Sequence, residues 1–211
     1  MRGDVSESES SAIEERDTVL RCLAGESAAW GFIVERYSSL LYATAYLMSH
    51  DRGLAEDATQ EALLAGWRRL ETFDPARPLR PWLLRILVNE VLQRRRRRML
   101  AFIPLLKSHE GVRSADRTPE SQAEKDWERE EIRQALRSLP ADSARVVLLR
   151  FFAELSPAEI GEVLSLPEGT VKSRLHRALK KLGKELAKRH FVDLPNEDGG
   201  TEEARKARSL S

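Results

Sequence analysis

The fold is indicated most clearly by residues 156–186, which read SPAEIGEVLSLPEGTVKSRLHRALKKLGKEL. Ser156 is a favourable helix N-cap and Pro157 suits the first helical position, so a short helix is predicted to begin here. Residues 165–169 contain a proline and a glycine and predict a tight break, after which a longer helix is expected over 170–186. A short helix, a turn and a longer basic helix are the plan of a helix-turn-helix.

The longer helix has one apolar and one basic face. Its apolar positions are predicted to be buried: Val171, Leu175, Ala178, Leu179 and Leu182. The opposite face carries Lys172, Ser173, His176, Arg177 and Lys180. In a helix-turn-helix, the first residues of the second helix reach base edges in the major groove, and basic side chains contact phosphates. The pattern therefore favours DNA binding, with an amphipathic helical hairpin that has a solvated basic side as the alternative.

The pattern upstream of this motif is also helical. Apolar residues at i, i+3, i+4 and i+7 predict helices over 30–48, 53–70 and from Pro81 into the arginine run ending at 98. The proline-rich loop 73–81 separates the last two of these helices. Further helices are expected within 127–152. The helix over 53–70 is predicted to bury Leu54, Ala58, Ala62, Leu63 and Trp67.

These patterns predict an all-α protein with two small helical domains joined by a flexible linker. Residues 18–98 form the first domain and residues 123–190 the second, with a linker over 99–122. The acidic N-terminus, 1–17, and the polar tail, 191–211, are expected to be disordered.

The charge of the chain is divided into blocks. Its 211 residues carry 35 Lys and Arg against 34 Asp and Glu, a net charge of +1. Residues 77–98 and 170–189 each carry a net +7, whereas 1–17 and 110–131 each carry −4. Two basic blocks separated by an acidic one are typical of a nucleic-acid binder with two contact modules. Two solvated helix faces are the alternative.

Several classes of protein are disfavoured by composition. No apolar run reaches the roughly 18–20 residues of a membrane span, and the acidic N-terminus lacks a signal-peptide core, so a cytoplasmic protein without membrane insertion is expected. The single cysteine, Cys22, excludes an internal disulfide and a CxxC metal site, and it is interpreted as a buried apolar residue rather than a redox sensor. The four histidines lie far apart, so no metal site is expected.

Two further groups of residues in the first domain suggest binding surfaces. Asp57, Gln60 and Glu61 share one helical face, which suits a basic protein partner, although a solvated face is the alternative. The loop 73–81 is followed by an aromatic, a basic and an amide side chain, which together can hold an unstacked base. Those side chains are Trp82, Arg85 and Asn89, of which Trp82 could equally anchor the core.

Three segments together resemble the bacterial sigma factors, specifically the extracytoplasmic-function (ECF) group of the sigma-70 family. They are AEDATQEALLAGWRRL at 55–70, RPWLLRILVNEVLQRRR at 80–96, and the segment 139–182 that contains the helix-turn-helix. The resemblance covers most of the chain. Gln93 departs from the aspartate frequent in the family and His176 stands at a variable position, so no promoter sequence is carried over.

The resemblance implies a transcription initiation factor that binds core RNA polymerase, selects promoters and is not an enzyme. Core binding, on the β′ clamp helices, is implied for Asp57, Gln60 and Glu61. Recognition and melting of the promoter −10 element are implied for Phe73, Arg77, Arg80, Trp82, Arg85 and Asn89. Recognition of the −35 element is implied for Thr170, Lys172, Ser173, Arg174, His176 and Arg177.

The implied partners are core RNA polymerase, through the β′ clamp helices and the β flap, and promoter DNA as duplex and as melted strand. An anti-sigma factor that holds the protein inactive is a further implied partner, and no small-molecule substrate is expected. Two other readings stay open at this point: a stand-alone helix-turn-helix regulator of duplex DNA, and an adaptor whose basic faces bind acidic proteins.

Overall fold

The computed structural model describes residues 4–102, 136 and 138–192, and these residues form helices and turns without a β-strand. The α-helices of this part are α1 (Asp4–Leu23), α2 (Ala29–Ser49), α3 (Arg52–Arg69), α4 (Leu79–Phe102), α5 (Ala141–Phe151), α6 (Pro157–Leu164) and α7 (Glu168–Val192). A 3-10 turn, Leu70–Thr72, follows α3. The all-α prediction is confirmed. Most of the expected linker, most of the helix expected before Leu139 and nearly all of the tail lie outside the described residues.

Helices α1 to α4 form the first helical unit around an apolar core. Helix α2 ends at His50, which adopts a left-handed conformation with φ of 56°. Asp51 then caps α3, because its Oδ1 accepts a hydrogen bond from the Leu54 N–H at 2.8 Å. This bond is the main reason that the pKa of Asp51 lies below its usual value. The core is built on leucine and isoleucine side chains: Ile33, Leu41, Leu83, Leu84 and Leu87.

The N-terminal expectation was wrong for the residues that the structure describes. Helix α1 spans Asp4–Leu23, although composition predicted disorder over 1–17. Val19 and Cys22 are buried in the core shared with α2 to α4. An acidic, serine-rich stretch is helical here because its last turns supply apolar surface to a tertiary core.

Helix α4 is longer at both ends than expected. It begins at Leu79 and continues to Phe102, so the first four residues assigned to the linker are helical. Three arginines of the run bind the corner between α2 and α3. Arg94 Nη1 lies 3.4 Å from Asp57 Oδ2, and Arg98 forms an ion pair with Asp51. Arg95 donates to the Met48 carbonyl at 3.1 Å, and these contacts offset the mutual repulsion of the run.

Helices α5 to α7 form the second unit, and α6 and α7 are the predicted helix-turn-helix. Ser156 and Glu159 form a capping box, in which each side chain accepts a hydrogen bond from the other residue's backbone N–H. Ser165 ends α6 with φ of 54°. A Cβ atom at Gly161 would lie 2.7 Å from the Leu166 carbonyl oxygen, so the close approach of the turn requires glycine.

The two units pack against each other along α4 and α6. Val88 and Leu92 of α4 line a crevice together with Val163 and Leu164 of α6. Ile160 and Val163 are buried in the same continuous apolar cluster as the core of the first unit. The described residues therefore share one core across both units.

Candidate nucleic-acid and polymerase interfaces

The loop between α3 and α4 is held by short-range hydrogen bonds. Asp74 Oδ1 accepts from the Ala76 N–H at 2.9 Å, and the Arg77 N–H donates to the Asp74 carbonyl at 3.0 Å. Phe73 precedes this turn and is only 7% exposed. Its ring centroid lies 5.0 Å from that of Trp82, so Phe73 supports Trp82 from within the core. In this arrangement Phe73 is not accessible to a nucleotide, because its ring is buried in the core and packs against Trp82.

The structure brings most of the predicted −10 residues to one surface. We define the α4 surface as Arg77, Arg80, Trp82, Arg85 and Asn89. Arg77, Trp82 and Arg85 line a single crevice with the buried Phe73. Asn89 is exposed and lines a neighbouring crevice that also includes Asp142 and Arg174. Aromatic, guanidinium and amide groups are therefore aligned along two turns of one helix.

The α4 surface faces carboxylates of the second unit. Arg77 forms an ion pair with Glu162 of α6. Arg80 Nη1 lies 3.3 Å from Glu154 Oε2 and 3.5 Å from the Ala153 carbonyl oxygen. Glu159 lines the same crevice as Arg85. Two arginines predicted to contact DNA are therefore occupied by acids from the helix-turn-helix unit.

The first turns of α7 present an open polar face. Lys172, Ser173, His176 and Arg177 are exposed, whereas Thr170 and Arg174 are half-buried. Lys172 pairs with Glu168 one turn earlier at 2.7 Å, which leaves its ammonium at the surface. Arg174 differs from these residues, because its Nη1 lies 3.4 Å from Asp142 Oδ2 of α5. The structure thus groups four of the six predicted −35 residues and turns Arg174 toward α5. The expected burial of Leu179 was wrong, since 42% of it is exposed.

The acidic face of α3 is also exposed. Asp57 and Gln60 are open to solvent and Glu61 is half-buried, with Glu61 Oε1 lying 3.3 Å from Arg68 Nη1. Sequence reasoning missed the apolar part of this helix surface. Leu64 is 49% exposed, and Trp67, which was predicted to be buried, is 36% exposed. The spacing of Gln60 and Leu64, four residues apart, was the available signal that they share a face.

The architecture agrees with comparisons to known proteins. Residues 33–100 match the family Sigma-70 region 2, and residues 129–182 match Sigma-70, region 4. SigW of Bacillus subtilis (strain 168), an ECF RNA polymerase sigma factor, is 31% identical over 170 residues, which cover 77% of this chain and 91% of SigW. The chain belongs to the ECF sigma factors. SigL of Mycobacterium tuberculosis (strain ATCC 25618 / H37Rv), another ECF sigma factor, is 32% identical over 75% of this chain and 89% of its own.

A solved structure supports the same assignment for the fold. The structure of CnrH in complex with the cytosolic domain of CnrY superposes with a TM-score of 0.61 and 26% identity, covering 82% of this chain and 97% of CnrH. The resemblance stated from the sequence is confirmed. This sigma factor is a transcription initiation factor that directs core RNA polymerase to promoters through −10 and −35 elements. The family is not known for catalysis.

One residue of the sigma factor that sequence reasoning missed is Glu15 of α1. Its Oε1 accepts a hydrogen bond from the Leu79 N–H at 3.0 Å, and its Oε2 accepts one from the Tyr37 hydroxyl. Arg36 Nε lies 3.9 Å from the same Oε2. Burial and the Glu15 contact raise the pKa of Tyr37, so its hydroxyl stays a donor. Because a carboxylate suits a helix N-terminus, Glu15 anchors the start of α4, next to the α4 surface.

Replacing Glu15 by alanine is expected to lower the free energy of unfolding by about 1–3 kcal/mol, since a buried hydroxyl and a helix N–H lose their acceptor. Glu15→Gln, which keeps one acceptor oxygen, is expected to cost less. Urea unfolding followed by circular dichroism measures both effects. The exposed neighbour Glu14 provides the control, and an equal loss of stability in Glu14→Ala would contradict the anchoring role.

Neither a metal site nor a membrane-spanning helix is found in the part of the chain that the structure describes. No group of three or more His, Cys, Asp or Glu side chains is placed to hold a metal ion among these residues. None of the described helices is both long and apolar enough to cross a membrane. Cys22 is buried, as predicted, and burial raises the pKa of its thiol, which disfavours the reactive thiolate.

Proposed function

We propose that the α4 surface is the element of this sigma factor that captures the melted −10 strand. The supporting observation is the crevice in which Arg77, Trp82 and Arg85 lie side by side, with Phe73 fixing the Trp82 ring from below. An aromatic ring can stack on an unpaired base while guanidinium groups hold its phosphates. Asn89, two turns along the same helix, is suited to hydrogen-bonding a base edge.

We assign recognition of the −35 element to the open face of α7. Lys172, Ser173, His176 and Arg177 are exposed on the first turns of the helix, where a helix-turn-helix reads the major groove. Lys and Arg can donate to guanine acceptors, and Ser can hold a phosphate. Arg174 is bound to Asp142, so we assign it to holding α7 against α5. Thr170 completes the set at the first turn of the helix.

We assign the binding of core polymerase to the exposed face of α3. Asp57, Gln60 and Glu61 offer acidic and amide groups, and Leu64 and Trp67 add exposed apolar surface beside them. Charged groups around an aromatic anchor are typical of protein–protein interfaces. The β′ clamp helices are the proposed partner of this face. The exposed Phe151 and Phe152 at the end of α5 are the proposed seat of the β flap.

The proposed mechanism needs no catalytic residue in this chain. Each DNA-binding unit alone is expected to bind the promoter weakly. Once the polymerase fixes the distance between the two units, the second contact becomes intramolecular and the overall affinity rises. Strand opening costs the free energy of unpairing and unstacking the bases. Capture of a flipped base on Trp82 offsets this cost. The polymerase performs the chemistry, and neither a cofactor nor a small-molecule substrate is part of the proposal.

We further propose that the protein acts in the cytoplasm and is held inactive by an anti-sigma factor. CnrH, which shares this fold, was solved in complex with the cytosolic domain of CnrY. A partner that covers the α3 face and the α4 surface would block polymerase and promoter together. Co-purification of a tagged chain from cells under non-inducing conditions, followed by identification of the bound protein, tests this part of the proposal.

Replacing Asp57 and Gln60 together by alanine is expected to weaken binding to core polymerase about 30-fold, since interface anchors typically contribute about 1 kcal/mol or more each. Competition binding to purified core polymerase measures the change. The neighbouring Glu56 is also exposed on α3, and Glu56→Ala serves as the matched control. Failure of the unaltered chain to bind core polymerase would favour a stand-alone regulator or an adaptor and would contradict the proposal.

A further inference from the structure

The open face of α7 contains a histidine ring without a partner in the part of the chain that the structure describes. The other exposed residues of this face have one. Lys172 Nζ lies 2.7 Å from Glu168 Oε1, and Arg177 Nε donates to the Ser173 carbonyl at 3.2 Å. The Ser173 hydroxyl donates to the carbonyl three residues earlier at 3.0 Å. The exposed His176 ring makes no such contact, so both of its nitrogens are available to a ligand.

The charges next to His176 on α7 are positive. Lys172 and Lys180 lie about one turn before and one turn after it, and Arg177 is its neighbour in the sequence. All three side chains are exposed on the same side of the helix. The imidazole therefore lies at the centre of a surface that suits an anionic ligand such as DNA.

The helices that pack against α7 supply no counter-ion to this ring. Each charged group of α5 and α6 is hydrogen-bonded or ion-paired to a residue other than His176. These groups are Asp142, Arg145 and Arg150 of α5 and Glu159 and Glu162 of α6. Within the described residues, His176 thus has no carboxylate partner, and a bound phosphate would be its counter-ion.

We infer that His176 contacts the −35 element as an imidazolium, so that promoter recognition takes up a proton and tightens as the pH falls. This inference rests on the proposed role of α7 in reading the −35 element. Histidine is the side chain whose charge ordinarily changes between about pH 5 and pH 8. The phosphates of DNA favour its charged form. By linkage, a proton on the ring then favours the binding of DNA to the same extent.

The charged ring also differs from the neutral ring in what it can recognise. In the imidazolium both ring nitrogens donate hydrogen bonds, and their N–H groups point away from each other. One can donate to guanine N7 or O6 in the major groove while the other donates to a phosphate oxygen. The neutral ring has a single donor and loses one of these two contacts. A falling pH is therefore expected to raise both the affinity for the −35 element and the preference for guanine opposite His176.

Reconstituted holoenzyme on a promoter mapped from its transcription start site tests the inference between about pH 8 and pH 6. The measured quantity is the ratio of its affinities for this promoter and for one with a scrambled −35 element, which cancels other effects of pH on the polymerase. We expect this ratio to rise at least about fivefold as the pH falls. The slope of log affinity against log salt concentration is expected to steepen by up to about one, because the imidazolium neutralises a phosphate.

Two substitutions at this exposed position imitate the two charge states of the ring. His176→Gln, which is always neutral, is expected to bind weakly at both pH values, and His176→Lys, which is always charged there, to bind tightly at both. His50→Asn is the control, because His50 ends α2 in the first unit and asparagine tolerates its left-handed conformation. This control is expected to keep the full pH dependence. Calorimetric titration in two buffers of different ionisation enthalpy counts the proton, and an equal uptake by the unaltered chain and His176→Gln would overturn the inference.

The remaining outcomes separate this inference from the proposed function. If Lys172→Ala with Arg177→Ala leaves the preference for the intact −35 element unchanged, α7 does not read that element, and the role of His176 fails with it. If that variant loses the preference while His176→Gln keeps the pH dependence of the unaltered chain, the −35 assignment stands and His176 does not take up the proton.

Discussion

Holoenzyme carrying Trp82→Ala and Arg85→Ala is expected to bind core polymerase normally and to lose promoter opening. Trp82 is half-buried on Phe73, with its remaining surface in the crevice, and Arg85 is exposed beside it. Loss of one stacked base costs about 1–3 kcal/mol. Loss of a charge-assisted hydrogen bond costs about 1.5–3 kcal/mol. The two changes together are therefore expected to lower the equilibrium constant for opening about 100-fold or more.

Permanganate reactivity of unpaired thymines around the start site measures this opening directly. Trp82→Phe keeps an aromatic face and is expected to restore part of the reactivity. Asn89→Ala, which removes only the amide, is expected to have a smaller effect. Urea unfolding of each variant separates loss of DNA capture from loss of the Phe73–Trp82 packing. Unchanged footprints in the double variant would refute the −10 assignment.

Lys172→Ala combined with Arg177→Ala is expected to abolish recognition of the −35 element. Both side chains are exposed on the basic side of α7, and neither contributes to the core. A good base contact is worth about 1–3 kcal/mol, so promoter affinity is expected to fall about 100-fold. Removal of each side chain that contacts a phosphate is also expected to reduce the slope of log affinity against log salt concentration by about one.

Footprinting and transcription with reconstituted holoenzyme measure the loss at the −35 element. Lys184→Ala, which removes an exposed cation further along α7, is the control and is expected to change the affinity about twofold or less. Promoter-specific transcription that survives the Lys172 and Arg177 changes would show that α7 does not read the −35 element. Transcription from promoters that depend mainly on their −10 element should be reduced less.

Local signals explain why the helix-turn-helix was predictable. Ser156 and Glu159 cap α6 within four residues of each other, and Gly161 allows the turn to approach the helix closely. The apolar spacing of α2 likewise identified Ile33, Tyr37 and Leu41 as buried. In each case the determining contacts are made by residues close together in the sequence.

Apolar residues at the border between the core and the surface were harder to predict. Trp67 and Leu179 lie at positions that helical periodicity assigns to a core, yet each remains exposed at the edge of its helix. Phe73 shows the reverse, since a loop aromatic next to prolines is buried. Whether an apolar side chain is buried depends on which neighbouring helix covers it, and the spacing of residues along one helix does not show this.

The helical elements, the helix-turn-helix, the alternating blocks of charge and the membership of the sigma-factor family could be predicted from the sequence. These properties follow from capping, periodicity and motif spacing. The packing of the helices was needed to show that Glu15 anchors the start of α4, 64 residues away, and that Glu162 pairs with Arg77, 85 residues away. Such contacts depend on how helices pack, because a carboxylate finds its partner by proximity in space and not by spacing in the chain.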